Sequence, residues 1–257
     1  MKHLIAAIVA TASLLCASLS YADTARPTIV LVHGAFADAS SWNGVVKILK
    51  SDGYTVIAAA NPLRSVKRDA EYIASLVDSI KSPVVLVGHS YGGLVINDAA
   101  TGHSNVKALV FVAAFAPDSG ETALALSGKF PGSTLGTTLA PAVPLADGGS
   151  DLYIQQDKFP VQFAADVSRG EALLMAATQR PIAQSALEEA AVGTAWKTTP
   201  SWFVYGDADK NIPPEAQAFM AKRAASQQTV VIRGASHVVM VSHPTEVAKV
   251  ILTAAGR

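Results

Sequence analysis

The chain of 257 residues contains one cysteine, Cys16, and it lies near the N-terminus. The first residues, MKHLIAAIVATASLLCASLSYA, combine a basic start at Lys2, an apolar run over 4–19 and a small-x-small site at 20–22. This pattern predicts a signal peptide over 1–22 that is cleaved after Ala22. The remaining 23–257 would then contain no cysteine, which excludes a disulfide, a thiol nucleophile and a Cys-ligated metal. We therefore expect export to the periplasm or the medium.

A membrane anchor is the alternative interpretation of this N-terminal segment. Thr11, Ser13 and Ser18 interrupt its apolar run, which is also shorter than the ~20 predominantly apolar residues of a spanning helix. Removal of the segment is the favoured interpretation, and no membrane contact is expected for the mature form.

The sequence also lacks an excess of charge of either sign. Its 20 Lys and Arg residues balance 20 Asp and Glu residues. No overall field would therefore attract nucleic acid or an acidic membrane surface. The balance favours a small neutral partner molecule.

Apolar, β-branched runs predict six strands. The strongest signals are at 28–32, 83–87, 106–114 and 201–205, and weaker ones are at 55–59 and 229–232. Helical periodicity lies between them, at 41–50, 65–81, 92–101, 214–225 and 245–255. Alternation of this kind predicts an α/β fold with a six-stranded, mostly parallel, doubly wound sheet. Ligands bind at the carboxyl ends of the strands in such sheets.

One stretch, about 117–196, interrupts this alternation. Pro- and Gly-rich turns are followed by helical pieces at 161–168, 171–178 and 182–190. An insertion of this length is rarely unstructured, so we expect a mostly helical cap over the strand ends. Its larger apolar residues either line a substrate pocket or pack the cap onto the core: Phe130, Leu135, Leu139, Tyr153, Phe159, Phe163 and Met175.

The chemistry-bearing motif is Gly88-His89-Ser90-Tyr91-Gly92, a G-x-S-x-G pattern between a strand and a helix. A tight strand-to-helix turn holds the serine in a strained conformation, and the flanking glycines avoid clashes with it. The alternative is a serine that merely caps a helix after a Gly-rich loop. The strand context favours Ser90 as a nucleophile.

A serine nucleophile needs a base, and histidine titrates near neutrality. His237 follows the last strand in the loop GASH, whereas loop support or helix ends account for His33, His89, His103 and His243. We therefore predict His237 as the base.

The carboxylate that orients the base should follow the preceding strand, where Asp207 and Asp209 stand. In this fold the three residues follow one another along the chain in the order Ser, Asp, His, and both aspartates satisfy that order. Asp209 is preferred because it is further along the loop, while Asp207 would bind backbone amides in the turn. For the oxyanion we predict the backbone N–H groups of Tyr91 and Ala35, with Phe36 as the alternative to Ala35.

Five segments carry a family resemblance over 28–255: HGAF, GHSYGG, FVAAFAPD, GDADKNIPPEAQ and GASHVVMVSHP. Together they resemble the α/β-hydrolase superfamily, in particular its methylesterase and hydroxynitrile-lyase-like branch. The resemblance implies that Asp209, in the D-K-x-I-P turn, is the catalytic aspartate. It also implies hydrolysis of small esters through an acyl-enzyme on Ser90. The lyases of this branch carry a lysine after the base, and Val238 stands at that position here, which disfavours cyanide chemistry.

Two further functions fit the same residues. A cofactor-free haloperoxidase or perhydrolase would use the same triad, and a non-catalytic ligand-binding protein would use only the fold. No metal-ligand spacing such as H-E-x-x-H occurs in the sequence, so neither a metal nor another cofactor is expected.

Overall fold

The computed structural model describes residues 26–256. The predicted signal peptide and Cys16 therefore lie outside the described residues. Within that range the strands are β1 (Thr28–Val32), β2 (Val56–Ala59), β3 (Val84–His89), β4 (Val106–Val112), β5 (Val143–Pro144), β6 (Ser150–Leu152), β7 (Ile182–Ala183), β8 (Ser201–Gly206) and β9 (Gln228–Ile232). The α-helices are α1 (Asn43–Ser51), α2 (Val66–Ser79), α3 (Gly92–Ala99), α4 (Ala123–Ser127), α5 (Phe159–Phe163), α6 (Arg169–Thr178), α7 (Gln184–Glu188), α8 (Pro214–Arg223), α9 (Val239–Ser242) and α10 (Pro244–Ala254).

The predicted parallel sheet is confirmed. Six strands pair in the order β2-β1-β3-β4-β8-β9, and every neighbouring pair is parallel. All residues of β1 and β3 are buried, as expected for central strands that are covered on both faces. The edge strand β9 is mostly exposed, which explains its weaker apolar signal.

Helices cover this sheet in two groups. Helix α1 contacts α10, which lies against β4 and β8, and α2 contacts α3, which lies against β1 and β3. Helix α2 begins where Ser65 accepts a hydrogen bond from the Arg68 N–H, and its buried residues recur at helical spacing. Within the described stretch, no helix combines the length and apolar character that crossing a bilayer requires.

The segment between β4 and β8 contains one helix close to its predicted position, α6 for the predicted 171–178, and a small sheet that the sequence did not predict. Strands β5, β6 and β7 form a three-stranded antiparallel sheet. The prediction of a helix over 182–190 was wrong at both ends, because Ile182 and Ala183 pair with β6 and the helix covers only Gln184–Glu188. The prediction over 161–168 was also wrong, because α5 ends at Phe163 and Ala164 leaves the helical conformation. We call residues 117–196 the cap.

The strand order reverses between β1 and β3. The chain passes from β1 to β2 on one side, and β3 then pairs with β1 on the other side. Crevices form outside the carboxyl ends of strands at such a point. The loop that begins at His33 and the turn that holds Ser90 both lie there, since Val32 pairs with Gly88.

Candidate active site

Ser90 occupies the turn between β3 and α3. Its φ is 53°, in the left-handed region that non-glycine residues rarely adopt and that costs roughly 1–3 kcal/mol. Backbone hydrogen bonds hold this conformation: the Ser90 N–H donates to Val112 O at 3.3 Å, and Ser90 O accepts from Gly93 N–H at 2.9 Å and Phe115 N–H at 3.2 Å. The side chain is thereby held at the carboxyl end of the sheet.

Two glycines allow the turn to pack against β1. A Cβ on Gly92 would lie 2.5 Å from Val32 O, and a Cβ on Gly34 would lie 2.6 Å from Ser90 Cβ. Both distances are shorter than real contacts allow, so the backbone of the first loop approaches the serine only because side chains are absent. Close approach of this kind is the physical reason for glycine at these positions.

His237 and Asp209 are paired in the interior. The His237 Nδ1–H donates to Asp209 Oδ2 at 2.7 Å, and both side chains are at most 1% exposed. Asp209 also accepts from Asn211 N–H at 2.8 Å, Ile212 N–H at 3.1 Å and Gln217 Nε2 at 3.0 Å. Because four donors satisfy the carboxylate, it is fixed in position, and the bond to Nδ1 leaves Nε2 as the ring nitrogen able to accept a proton.

The second candidate carboxylate points elsewhere. Asp207 Oδ1 accepts the Gly234 N–H at 2.6 Å, which joins the turn after β8 to the turn after β9. This is the backbone-amide role expected for Asp207 from its position in the turn.

Two aromatic rings enclose the imidazole of His237. The ring of Phe163, from the cap, lies 5.0 Å away between centroids, and the ring of His89 lies 4.8 Å away. His89 Nε2 donates to His237 O at 3.2 Å. Burial is the main reason that the pKa of His89 lies well below its usual value, and the nearby His237 lowers it further. His89 therefore stays neutral beside His237.

Ser90 and His237 line the same cavity, which has a volume of about 70 Å³. Among residues 26–256 the Ser90 hydroxyl has no hydrogen-bond partner, so the structure places the two side chains on one cavity without a bond between them. Catalytic hydrogen bonds often tighten only when a substrate is bound. Five apolar cap residues line the same cavity: Ala123, Leu124, Leu135, Phe163 and Leu187.

The three backbone N–H groups predicted as oxyanion donors differ in whether they already bind a protein acceptor. Ala35 and Tyr91 line the cavity, and within the described part of the chain neither backbone N–H is donated to a protein acceptor. The N–H of Phe36 is different, because it donates to Arg180 O at 3.0 Å. The geometry thus favours Ala35 over Phe36 as the partner of Tyr91.

A buried contact that the sequence did not reveal anchors Tyr91. Its hydroxyl donates to Asp69 Oδ2 at 3.0 Å, and Asp69, on α2, is fully buried. Burial raises the pKa of the Asp69 carboxyl, and burial together with Asp69 raises the pKa of Tyr91. No local pattern indicates this pair, since the two residues are 22 positions apart.

The other apolar cap residues divide between the two expected roles. Leu135 and Phe163 line the cavity, whereas Phe159 is fully buried. Phe130 packs against Phe219 of α8, with ring centroids 5.8 Å apart. In the described range, no group of three or more His, Cys, Asp and Glu residues is arranged to hold a metal ion.

Known proteins that are similar to this chain belong to one family. Residues 29–250 match the family described as "Alpha/beta hydrolase family". Esterase PIR7B of Oryza sativa subsp. japonica is 26% identical over 93% of this chain and 99% of its own length. Alpha-hydroxynitrile lyase of Arabidopsis thaliana is 36% identical over 35% of this chain and 40% of its own. The crystal structure of polyneuridine aldehyde esterase superposes with a TM-score of 0.76 and 22% identity, over 89% of this chain and 98% of that one.

Proposed function

Because the chain belongs to the alpha/beta hydrolase family, we propose that it hydrolyses small carboxylic esters through an acyl-enzyme on Ser90. The observation that carries the proposal is the shared cavity, which Ser90, His237, Ala35 and Tyr91 all line. Among residues 26–256 the backbone N–H groups of Ala35 and Tyr91 have no protein acceptor. The buried bond from His237 to Asp209 supports the same chemistry. Similarity to Esterase PIR7B along nearly the whole chain supports the choice of esters.

The first half of the reaction would form the acyl-enzyme. His237 Nε2 accepts the Ser90 proton as Ser90 Oγ attacks the ester carbonyl carbon. The carbonyl oxygen gains negative charge, which the N–H groups of Ala35 and Tyr91 stabilise. The carbon–oxygen bond to the alcohol then breaks, and His237 returns the proton to the departing alcohol. Asp209 keeps the imidazole in the required tautomer and stabilises its cationic form.

The second half would release the acid. His237 accepts a proton from water as the water oxygen attacks the acyl carbon, and the bond to Ser90 Oγ breaks with the proton returned to Ser90. His89 assists by staying neutral, because a second cation 4.8 Å from the His237 ring would oppose the imidazolium that forms.

The cavity indicates the substrate class. Among residues 26–256, no Lys, Arg, Asp or Glu lines it, and most of its lining is apolar. Transfer of a charged group into such a space would be costly. A volume of about 70 Å³ suits a compact, uncharged acyl group.

Cyanide elimination is not favoured by the residue after the base. Val238 is fully buried and apolar, so it supplies no positive charge to a leaving anion. Similarity to the hydroxynitrile lyase covers only 35% of this chain. Ester hydrolysis accounts for the site without a further charged group.

The experiment that tests the proposal compares two serines of the same cavity. Ser90→Ala should lower the kcat/KM for p-nitrophenyl acetate by several orders of magnitude, because the nucleophile is lost. Ser127→Ala is the control, since Ser127 lines the cavity but its hydroxyl donates to Asn211 O. Near-normal hydrolysis by Ser90→Ala would contradict the proposal.

We also propose that the protein is exported and acts without its first 22 residues. The basic start, apolar run and small-x-small site at 1–22 support this proposal.

A further inference from the structure

A second cleft adjoins the Ser90 cavity, and Phe36 lines both of them. This outer cleft has a volume of about 290 Å³, against about 70 Å³ for the Ser90 cavity. Its walls are the segment 37–44, which follows β1, and helix α6 of the cap. Phe36 is therefore the boundary between a small inner space and a larger outer one.

Phe36 is held firmly at this boundary. Its φ is 59°, a conformation that a bulky residue keeps only when its surroundings impose it. Its N–H donates to Arg180 O at 3.0 Å, and its ring meets the ring of Phe163 edge to face at 6.1 Å between centroids. The cap thus fixes both the backbone and the ring of Phe36, so that its position is a defined feature of the site.

The outer cleft differs from the inner cavity in chemistry. Two carboxylates, Asp38 and Glu171, and the amide of Asn43 line it together with apolar side chains such as Leu174 and Met175. Carboxylates accept hydrogen bonds, so this mixed surface suits a flexible chain that carries hydroxyl groups.

We propose that the outer cleft binds the alcohol part of the ester, while the compact acyl part stays in the Ser90 cavity and Phe36 separates the two. This inference rests on the proposed ester hydrolysis and specifies its substrate. The order of bond breaking supports the division, because the alcohol leaves in the first half of the reaction and needs an exit. The acyl group stays bonded to Ser90 Oγ until water attacks, so it can occupy the smaller space.

Two neighbouring leucines of α6 provide a matched test. Leu174 lines the outer cleft and is 64% exposed, whereas Leu173 is 44% exposed and does not line it. Leu174→Trp should fill the cleft, and Leu173→Trp should add the same bulk outside it. Both side chains are exposed enough for the fold to accept the change.

The two variants are assayed with ethyl acetate and with the monoacetate of tetraethylene glycol, by titration of the released acid. Leu174→Trp should lower the kcat/KM for the long ester roughly tenfold, mainly through a higher KM, and should lower that for ethyl acetate much less, because its alcohol part is short. Leu173→Trp should change neither. If Leu174→Trp affects both esters equally or neither of them, the outer cleft is not the alcohol site.

A second variant tests the boundary itself. Phe36→Leu replaces the ring with a smaller side chain, which should widen the space between the inner cavity and the outer cleft. The kcat/KM for p-nitrophenyl octanoate, relative to the acetate, should rise roughly tenfold. An unchanged ratio would contradict the role of Phe36 as the divider.

Labelling with a short alkyl fluorophosphonate separates failure of this inference from failure of the proposed function. In that reaction Ser90 Oγ forms a bond to phosphorus, fluoride leaves, and the adduct is located by peptide mass spectrometry. If Ser90 is labelled but Leu174→Trp does not discriminate between the esters, only the alcohol site is wrong. If Ser90 is not labelled and no ester is cleaved, the proposed hydrolysis is wrong and the alcohol site with it.

Discussion

His89 Nε2 donates to the backbone carbonyl of His237 at 3.2 Å, with the two imidazole rings 4.8 Å apart between centroids. A buried neutral histidine thus fixes the loop that carries the proposed base. The same histidine precedes Ser90 in sequence, so one turn positions both the proposed nucleophile and the proposed base.

The lowered pKa of His89 predicts how stability depends on pH. Unfolding restores the pKa of His89 to about 6.5, so below that pH the unfolded state binds a proton that the folded state does not. Stability due to this group is therefore present above pH ~6.5 and falls by up to ~1.4 kcal/mol per pH unit below it. His33, whose pKa burial also lowers, adds to this slope.

His89→Gln tests this linkage. Removing one buried histidine should make the free energy of unfolding, measured by urea denaturation between pH 5 and 7, depend less steeply on pH. An unchanged slope would show that His89 is protonated in the folded protein. Because Gln retains an N–H donor, His89→Gln should also keep more of the kcat than His89→Leu, by about tenfold if the bond to His237 O holds the base in position.

Asp209 and Asp207 form a natural pair of variants. Asp209→Asn should lower the kcat for p-nitrophenyl acetate by about 10⁴, because the amide favours the wrong imidazole tautomer. Asp207→Asn should leave kcat within a few-fold, since Asp207 binds the Gly234 N–H and not the imidazole. Equal losses in the two variants would contradict the assigned roles.

Tyr91→Phe removes the hydroxyl that donates to Asp69. The fully buried carboxylate would lose one donor, which should cost about 1–3 kcal/mol in the free energy of unfolding. If the hydroxyl also positions the Tyr91 N–H toward the oxyanion, kcat should fall several-fold while KM stays constant. A loss of stability with an unchanged kcat would limit the contact to a structural role.

The export proposal predicts a defined N-terminus. Protein recovered from the periplasm or the medium of an expressing bacterium should begin at Asp23, as determined by N-terminal sequencing. A chain with Ile8 and Leu14 replaced by Arg should stay in the cytoplasm, because the apolar run is broken. Recovery of the protein with Met1 intact from a membrane fraction would favour the anchor interpretation instead.

The sequence predicts the sheet well because its central strands, such as β1 and β3, are buried on both faces and are continuous apolar runs. The Ser90 turn is equally visible, since glycines at 88 and 92 are required by close backbone contacts. Placing Asp209 and His237 in loops after successive strands is enough to bring them together, because parallel strands end at one edge. These features depend on local sequence and on general rules of sheet topology.

The structure of the cap is harder to predict from the sequence. Strands β5 and β7 have two residues each, too short for an alternating pattern, so their pairing depends on tertiary contacts. The bond from Phe36 N–H to Arg180 O joins residues of the first loop and the cap. Contacts of this kind, like the one between Asp69 and Tyr91, leave no periodic signal in the sequence.

The central claim is a covalent intermediate on Ser90, and trapping it is the most direct test. The protein is mixed with p-nitrophenyl acetate, quenched in acid within the first turnovers, digested and analysed by mass spectrometry. We predict one acetyl group on Ser90 and none at that position in Ser90→Ala. Hydrolysis without acetyl-Ser90, or with the acetyl group on another residue, would contradict the account.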